Sequence, residues 1–262
     1  MTHERPTAAA VPLLDLRHVD VMRGERLALS DVTLRVLQGE HVAILGPNGC
    51  GKSTFIKLLT RELYPLAKPG SDIRILGRRL WNVNHLRTTL GIISNDLRTQ
   101  LDPSATAFEA VASGAFARHS LMPQDRLDDA VRAAAGAALT TLGLAHLAQR
   151  RFDQLSLGES QRVMIARAFI NDPNTFVFDE PCSALDVGAQ MHVRDAMRTL
   201  ARRGAGLLLV THDFDDIVPE IERVVFLSDG RIVGDGARGA MLRADALARL
   251  FGVDPCHFRS VT

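Results

Sequence analysis

Gly46-Pro47-Asn48-Gly49-Cys50-Gly51-Lys52-Ser53-Thr54 decides the reading of this chain. The stretch fits G-x-x-x-x-G-K-[ST], a loop that wraps phosphate, with Gly46, Gly51, Lys52 and Ser53 at the fixed positions. Its glycines let the backbone turn until successive N–H groups point at one anion. Lys52 offers a compact positive charge to terminal phosphates, and the Ser53 hydroxyl is a ligand type for Mg2+. The flanks agree. His41-Val42-Ala43-Ile44-Leu45 is a short apolar run that predicts a buried strand, and Ser53 to Leu63 predicts a helix carrying Phe55, Leu58 and Leu59. A strand, a glycine-rich turn and a helix N-terminus aimed at phosphate are what the pattern requires. The expected ligand is a nucleoside triphosphate.

Composition sets the outer limits. The 262 residues allow one large domain or a core with a subdomain, and 46% hydrophobic with 23% charged residues is the balance of an ordinary globular protein. A formal net charge of +1 gives no basic face, so no nucleic-acid partner is expected. Three cysteines, Cys50, Cys182 and Cys256, show no C-x-x-C spacing and predict neither a disulfide framework nor a zinc site. That usage fits a reducing cytosol. Met1 to Pro6 precede no apolar stretch of signal-peptide length, and no run approaches the ~20 apolar residues of a spanning helix. A cytoplasmic location is expected, with any membrane role peripheral and through a partner.

Along the chain, residues 1–12 read as a flexible arm. Leu13 to Val21 and Leu27 to Leu37 alternate as strands joined at Arg23-Gly24, and Ile73 to Leu76 and Leu90 to Ile93 read as further strands. From Ala105 to Leu147 the β-branched residues thin out and alanine dominates, which predicts an inserted helical subdomain over about residues 96–158. A second α/β stretch follows: a buried helix from Ser160 to Ile170, a strand at Thr175 to Phe178, and a helix with Val193, Ala196, Met197 and Leu200 on one face. Strands at Gly206 to Val210, Val224 to Leu227 and Arg231 to Val233 complete a main domain of residues 13–240. Residues 241–262 read as a short helical tail.

Phe176-Val177-Phe178-Asp179-Glu180-Pro181 is an apolar strand ending in two carboxylates, which suits Asp179 to a magnesium shell and Glu180 to an attacking water. It follows Leu155-Ser156-Leu157-Gly158-Glu159-Ser160-Gln161-Arg162. That octapeptide resembles the signature sequence of the ATP-binding cassette (ABC) ATPases, typically L-S-G-G-Q-x-Q-R. Ser183-Ala184-Leu185-Asp186 is similar to their D-loop, and Val210-Thr211-His212-Asp213 to their switch histidine. The elements stand in the family's order over about residues 12–240.

The resemblance implies an α/β fold: a phosphate-loop core with a parallel-strand sheet, an antiparallel β subdomain near the N-terminus and an inserted α-helical subdomain. It also implies a head-to-tail dimer, with ATP lying between one chain's phosphate loop and the other chain's signature. On that analogy Lys52 holds the phosphates within the loop Gly46 to Thr54, Ser53 and Asp179 serve Mg2+, and Glu180 acts on the water. His212 reaches the γ-phosphate, Ser156, Gly158 and Glu159 face the other chain's ATP, and Asp186 belongs to the D-loop.

The departures are specific. Leu157 stands at the first signature glycine, where its side chain crowds the backbone. Glu159 stands at the glutamine, where a carboxylate is unhelpful beside phosphate. Asn95 occupies the Q-loop glutamine position, one methylene shorter. Arg23 falls where an aromatic residue usually stacks on adenine, so it is either an adenine contact, since guanidinium stacks on bases, or a solvated turn arginine. Cys50, beside helix N-terminal amides, is either a thiol of lowered pKa or an incidental loop residue.

The implied function is that of a transporter's ATP-hydrolysing subunit, working with a second ABC ATPase subunit, expected to be an identical chain, and a membrane-spanning partner. The alternative is a soluble ATP-switched protein of repair, translation or assembly.

Overall fold

The computed structural model describes residues 11–122, 124, 125 and 127–258. Most of the expected arm, residues 1–10, and the last four residues of the expected tail lie outside them.

β1 (Pro12–Arg23) and β2 (Arg26–Leu37) pair antiparallel, and β4 (Asp72–Ile75) joins the other side of β1 after β3 (His41–Leu45) and α1 (Lys52–Leu59). This three-stranded sheet has the order β2-β1-β4. Helix α1 stops short of the expected Leu63. Arg61 takes a φ of +61°, and the amides of Glu62 and Leu63 both return to the Lys57 carbonyl at 2.9 Å.

α2 (Val83–Thr89), β5 (Gly91–Ile93) and α3 (Asn95–Thr99) lead into the insert. The insert contains α4 (Ala107–Ala112) and α5 (Asp129–Thr141), which pack with α6 (Leu157–Phe169). Its alanines explain the close approach: Ala107, Ala110, Ala112, Ala135 and Ala138 are all buried. α6 starts earlier than the expected Ser160 because Ser156 caps it.

The chain continues through β6 (Thr175–Asp179), α7 (Val187–Arg202), β7 (Gly206–Thr211), β8 (Arg223–Ser228), β9 (Arg231–Ala237), α8 (Arg238–Met241) and α9 (Ala244–Phe251). The main sheet has the order β5-β6-β7-β3-β8-β9; its first five strands are parallel and β9 runs antiparallel to β8. Because successive side chains alternate faces, Ala43 and Leu45 enter one core while Val42 and Ile44 enter the other. Both faces are covered, which is why these strands are continuous apolar runs. Leu247, Leu250 and Phe258 bury in the same core as Val224 and Phe226.

Candidate functional site

The carboxyl ends of β3, β6 and β7 lie side by side, where open parallel sheets place their ligands. They carry the phosphate loop, the Asp179-Glu180 pair and His212.

Glycine is required in the loop for steric reasons. A Cβ on Gly46 would lie 2.1 Å from the Leu227 carbonyl oxygen. Gly51 caps α1 with a φ of +114°, and a Cβ there would meet the Ala28 carbonyl at 2.7 Å. Lys52, only 5% exposed, donates to the carbonyls of Gly46 and Pro47, each at 2.9 Å.

Glu180 joins the three strand ends. Its Oε1 lies 3.3 Å from Lys52 Nζ and its Oε2 2.9 Å from His212 Nδ1. Its backbone takes a φ of +48°, held by its amide donating to the Val210 carbonyl at 2.8 Å. The left-handed region is costly for glutamate, which here follows directly on the end of β6, and such outliers gather at functional sites. Burial, and then the charges of Glu180 and Asp96, push the Asp179 carboxyl up to about 6 against the opposing pull of Lys52 and Lys57.

Two adjoining cavities open above these groups. One, of about 250 Å³, is lined by Arg23, Arg26, Asn48, Gly49 and residues 51–54, with Glu180, Asp229 and Gly230 closing it. The other, of about 370 Å³, adds Asn95, Asp96, Lys57 and Asp179, and shares Arg23, Ser53 and Glu180 with the first. Asn95 and Arg23, though distant in sequence, therefore border the same cleft as Lys52. Asn95 is the first residue of α3 rather than a loop residue, with Ser94 Oγ capping the helix by accepting from Leu97 N at 3.3 Å.

Gly46, Pro47 and Cys50 do not line either cavity. Of the two readings of Cys50, the structure excludes the thiol of lowered pKa. Its side chain is 3% exposed in the core, burial raises its pKa, and the pull of Lys52 is the lesser effect. Its carbonyl accepts from Gly230 N at 2.8 Å, so it ties the loop to the β8–β9 turn. Arg26, Asp229 and Gly230 belong to the cleft wall but were not among the candidates from sequence; their place there depends on contacts far apart in sequence.

Ser156, Gly158 and Glu159 lie away from both cavities. Ser156 Oγ accepts from Glu159 N at 3.2 Å while Glu159 Oε2 accepts from Ser156 N at 2.8 Å, a reciprocal capping box. Arg150 Nη1 adds a contact to Glu159 Oε1 at 3.2 Å. The carboxylate at the usual glutamine position is thus engaged within its own helix turn. Leu157 begins the helix half-buried, and a Cβ on Gly158 would lie 2.5 Å from that of Ala189 on α7. Asp186 caps α7, its Oδ1 accepting from Ala189 N at 2.8 Å.

The donor set suits a nucleotide with its own cation. Ser53 and Asp179 provide one hydroxyl and one carboxylate beside the glycine cradle, and no group of three or more His, Cys, Asp or Glu residues capable of holding a metal occurs among the described residues. Mg2+ is characteristically held by one or two carboxylates with substrate phosphates and water, not by an all-protein cage.

Comparison with known proteins agrees with this geometry. A sequence model described as ABC transporter matches residues 29–183. The chain is 35% identical to the hemin import ATP-binding protein HmuV of Nocardia farcinica over 258 residues, covering 95% of this chain and 86% of that protein. It is 36% identical to the cell division ATP-binding protein FtsE of Mycobacterium tuberculosis over 227 residues, covering 82% and 90%. Among solved structures, the ATP-binding cassette MJ0796, a dimer in a post-hydrolysis state bound to ADP and Pi, superposes with a TM-score of 0.70 at 28% identity, covering 86% of this chain and 98% of that one. The chain belongs to the ABC transporter family, as one of its ATP-binding and ATP-hydrolysing cassettes.

Proposed function

We propose that two copies of this chain close head to tail around two ATP molecules and drive a membrane-spanning transporter subunit from its cytoplasmic face. The observation that carries this reading is the half-built site. Lys52, Ser53, Asp179 and Glu180 line the cleft and His212 reaches it through its bond to Glu180, whereas Ser156 and Gly158 lie outside the lining. In this reading Lys52 and the amides of the phosphate loop bind and orient the phosphates, and Ser53 and Asp179 hold Mg2+. Mg2+ would supply charge neutralisation at the phosphate oxygens. Glu180, oriented by His212, takes the proton of the attacking water; Asn95 borders the same water-accessible cleft and Arg23 the nucleotide. The N-terminus of α6 then faces the γ-phosphate on the other chain, where its dipole favours negative charge.

No helix among the described residues is long and apolar enough to cross a membrane. Attachment through a separate membrane subunit fits that observation and the import protein among the relatives. The cell-division relative supports a second reading, the same ATP-closed dimer serving assembly instead of transport. The test is light scattering of Glu180→Gln with Mg-ATP, followed by mass spectrometry of what co-purifies with the native chain. A dimer that appears only with ATP and a co-purifying multi-spanning protein are expected. A monomer at saturating ATP overturns the closure, and a co-purifying division or assembly complex overturns transport in favour of the second reading.

A further inference from the structure

Asp216 is the most deeply buried carboxylate near the site, with its side chain 3% exposed, and it lines neither cavity. Such a group is stable only with its hydrogen bonds made. Its Oδ1 accepts from Arg194 Nη2 at 2.9 Å and from Arg194 Nε at 3.2 Å, and its Oδ2 accepts from Thr211 Oγ1 at 3.1 Å. The same Thr211 hydroxyl oxygen accepts from Asp213 N at 3.0 Å. The residues before and after His212 are therefore both fixed by one hydroxyl that Asp216 orients.

On its other side Arg194 donates to Gln190 Oε1 at 3.4 Å, and Gln190 Nε2 donates to the Leu185 carbonyl at 3.1 Å. Leu185 adjoins Asp186, which starts α7, and the turn back to Glu180 is closed by Ser183 N donating to the Glu180 carbonyl at 3.2 Å. The contacts thus form a ring: Glu180, the 183–185 turn, Gln190, Arg194, Asp216, Thr211, His212, and Glu180 again. Burial works to lower the Arg194 pKa, but its bond to Asp216 and that carboxylate's charge hold it above the ordinary value.

We propose that Arg194 and Asp216 are positioning residues: acting through Thr211 they hold His212 against Glu180, and they tie that pair to the turn that ends at Asp186. The proposal rests on the hydrolytic role of Glu180 and His212. It adds a mechanical link by which displacement of the 183–186 turn, as the second chain closes, is passed to the two groups that act on water.

Steady-state ATPase kinetics test it. Thr211→Val keeps the buried volume and removes the hydroxyl. It is expected to lower kcat about tenfold with KM for ATP within about twofold, the split that marks loss of an interaction used in turnover and not in binding. Thr211→Ser restores the hydroxyl and should restore kcat. In a His212→Ala background, with residual turnover read by phosphate release, Thr211→Val and Asp216→Asn should cause no further loss, since they act through the residue already removed. Wild-type kcat in Thr211→Val, or the same tenfold loss with and without His212, overturns the proposal. Because Asp216→Asn and Arg194→Met leave a buried partner exposed to unfolding, Thr211→Val decides where those variants do not fold. ATP turnover that survives Glu180→Gln in the otherwise unaltered chain overturns the parent reading, and this one with it.

Discussion

Lys52 Nζ lies 3.3 Å from Glu180 Oε1, so the proposed phosphate holder and the proposed base are ion partners across the cleft. A phosphate competes with Glu180 for the same ammonium. The contact joins binding to activation: phosphate that captures Lys52 leaves the carboxylate to His212 and water.

Glu180→Gln removes both the competing charge and the base. Turnover should fall roughly 10²–10⁴-fold, the scale for a positioned general base. Affinity for ATP should be unchanged or tighter, because a neutral amide competes less for Lys52. Fluorescent-nucleotide titration beside an ATPase assay reads both; weaker binding with normal turnover would contradict the assignment.

Ser156 caps α6, which dictates how a shared site is best tested. Ser156→Arg would remove the cap, whereas Ser156→Asp keeps a good capping oxygen and sets a negative charge against the other chain's phosphate. Ser156→Asp should melt near the wild-type temperature yet be almost inactive, as should Lys52→Ala. Mixing the two should regain activity, since each heterodimer contains one intact composite site. Freely mixed heterodimers with no activity would count against sharing.

Asn95 borders the cleft from the first turn of α3. If its amide serves the site, Asn95→Ala should lower turnover about tenfold, near the cost of one lost hydrogen bond to a charged group. Asn95→Gln should be tolerated. Unchanged steady-state hydrolysis in Asn95→Ala would remove the residue from the site.

Glu159→Ala should lose about 1 kcal/mol with the capping box, seen as a melting temperature lower by about 2–4 °C. Glu159→Gln should melt close to wild type at neutral pH because glutamine serves the same box. The Ser156 amide, more than any other cause, holds the Glu159 carboxyl below its ordinary range. A lowered carboxylate stabilises above its unfolded pKa, about 4.3, and loses that contribution as pH falls through the folded value. The melting difference between Glu159→Ala and wild type should therefore shrink on acidification, and a difference constant with pH would refute the charged form of the cap.

The phosphate loop and the strands were legible because their signals are local: fixed glycine spacing, unbroken apolar runs and two-residue alternation. α2 and α3 were missed because seven and five residues are too few to display a helical period. The capping box was written plainly as Ser156-x-x-Glu159, but the comparison with a family pattern led instead to an objection against the glutamate. For Cys50 the two readings stayed open for another reason. Its place in the core and its carbonyl's bond to Gly230 depend on residues far along the chain, and nothing near position 50 announces them.

The placement of β3 between β7 and β8 has a consequence for synthesis of the chain. The ribosome delivers the whole phosphate loop early, attached to a strand whose two neighbours begin only at Gly206 and Arg223. Until those segments emerge, β3 has unpaired edges and the loop has no Gly230 to rest against. Nascent chains stalled before Gly206 should therefore retain no immobilised ATP analogue, while chains with Ala237 clear of the exit tunnel should. The nucleotide site, first in the sequence, is among the last parts of the molecule to be finished.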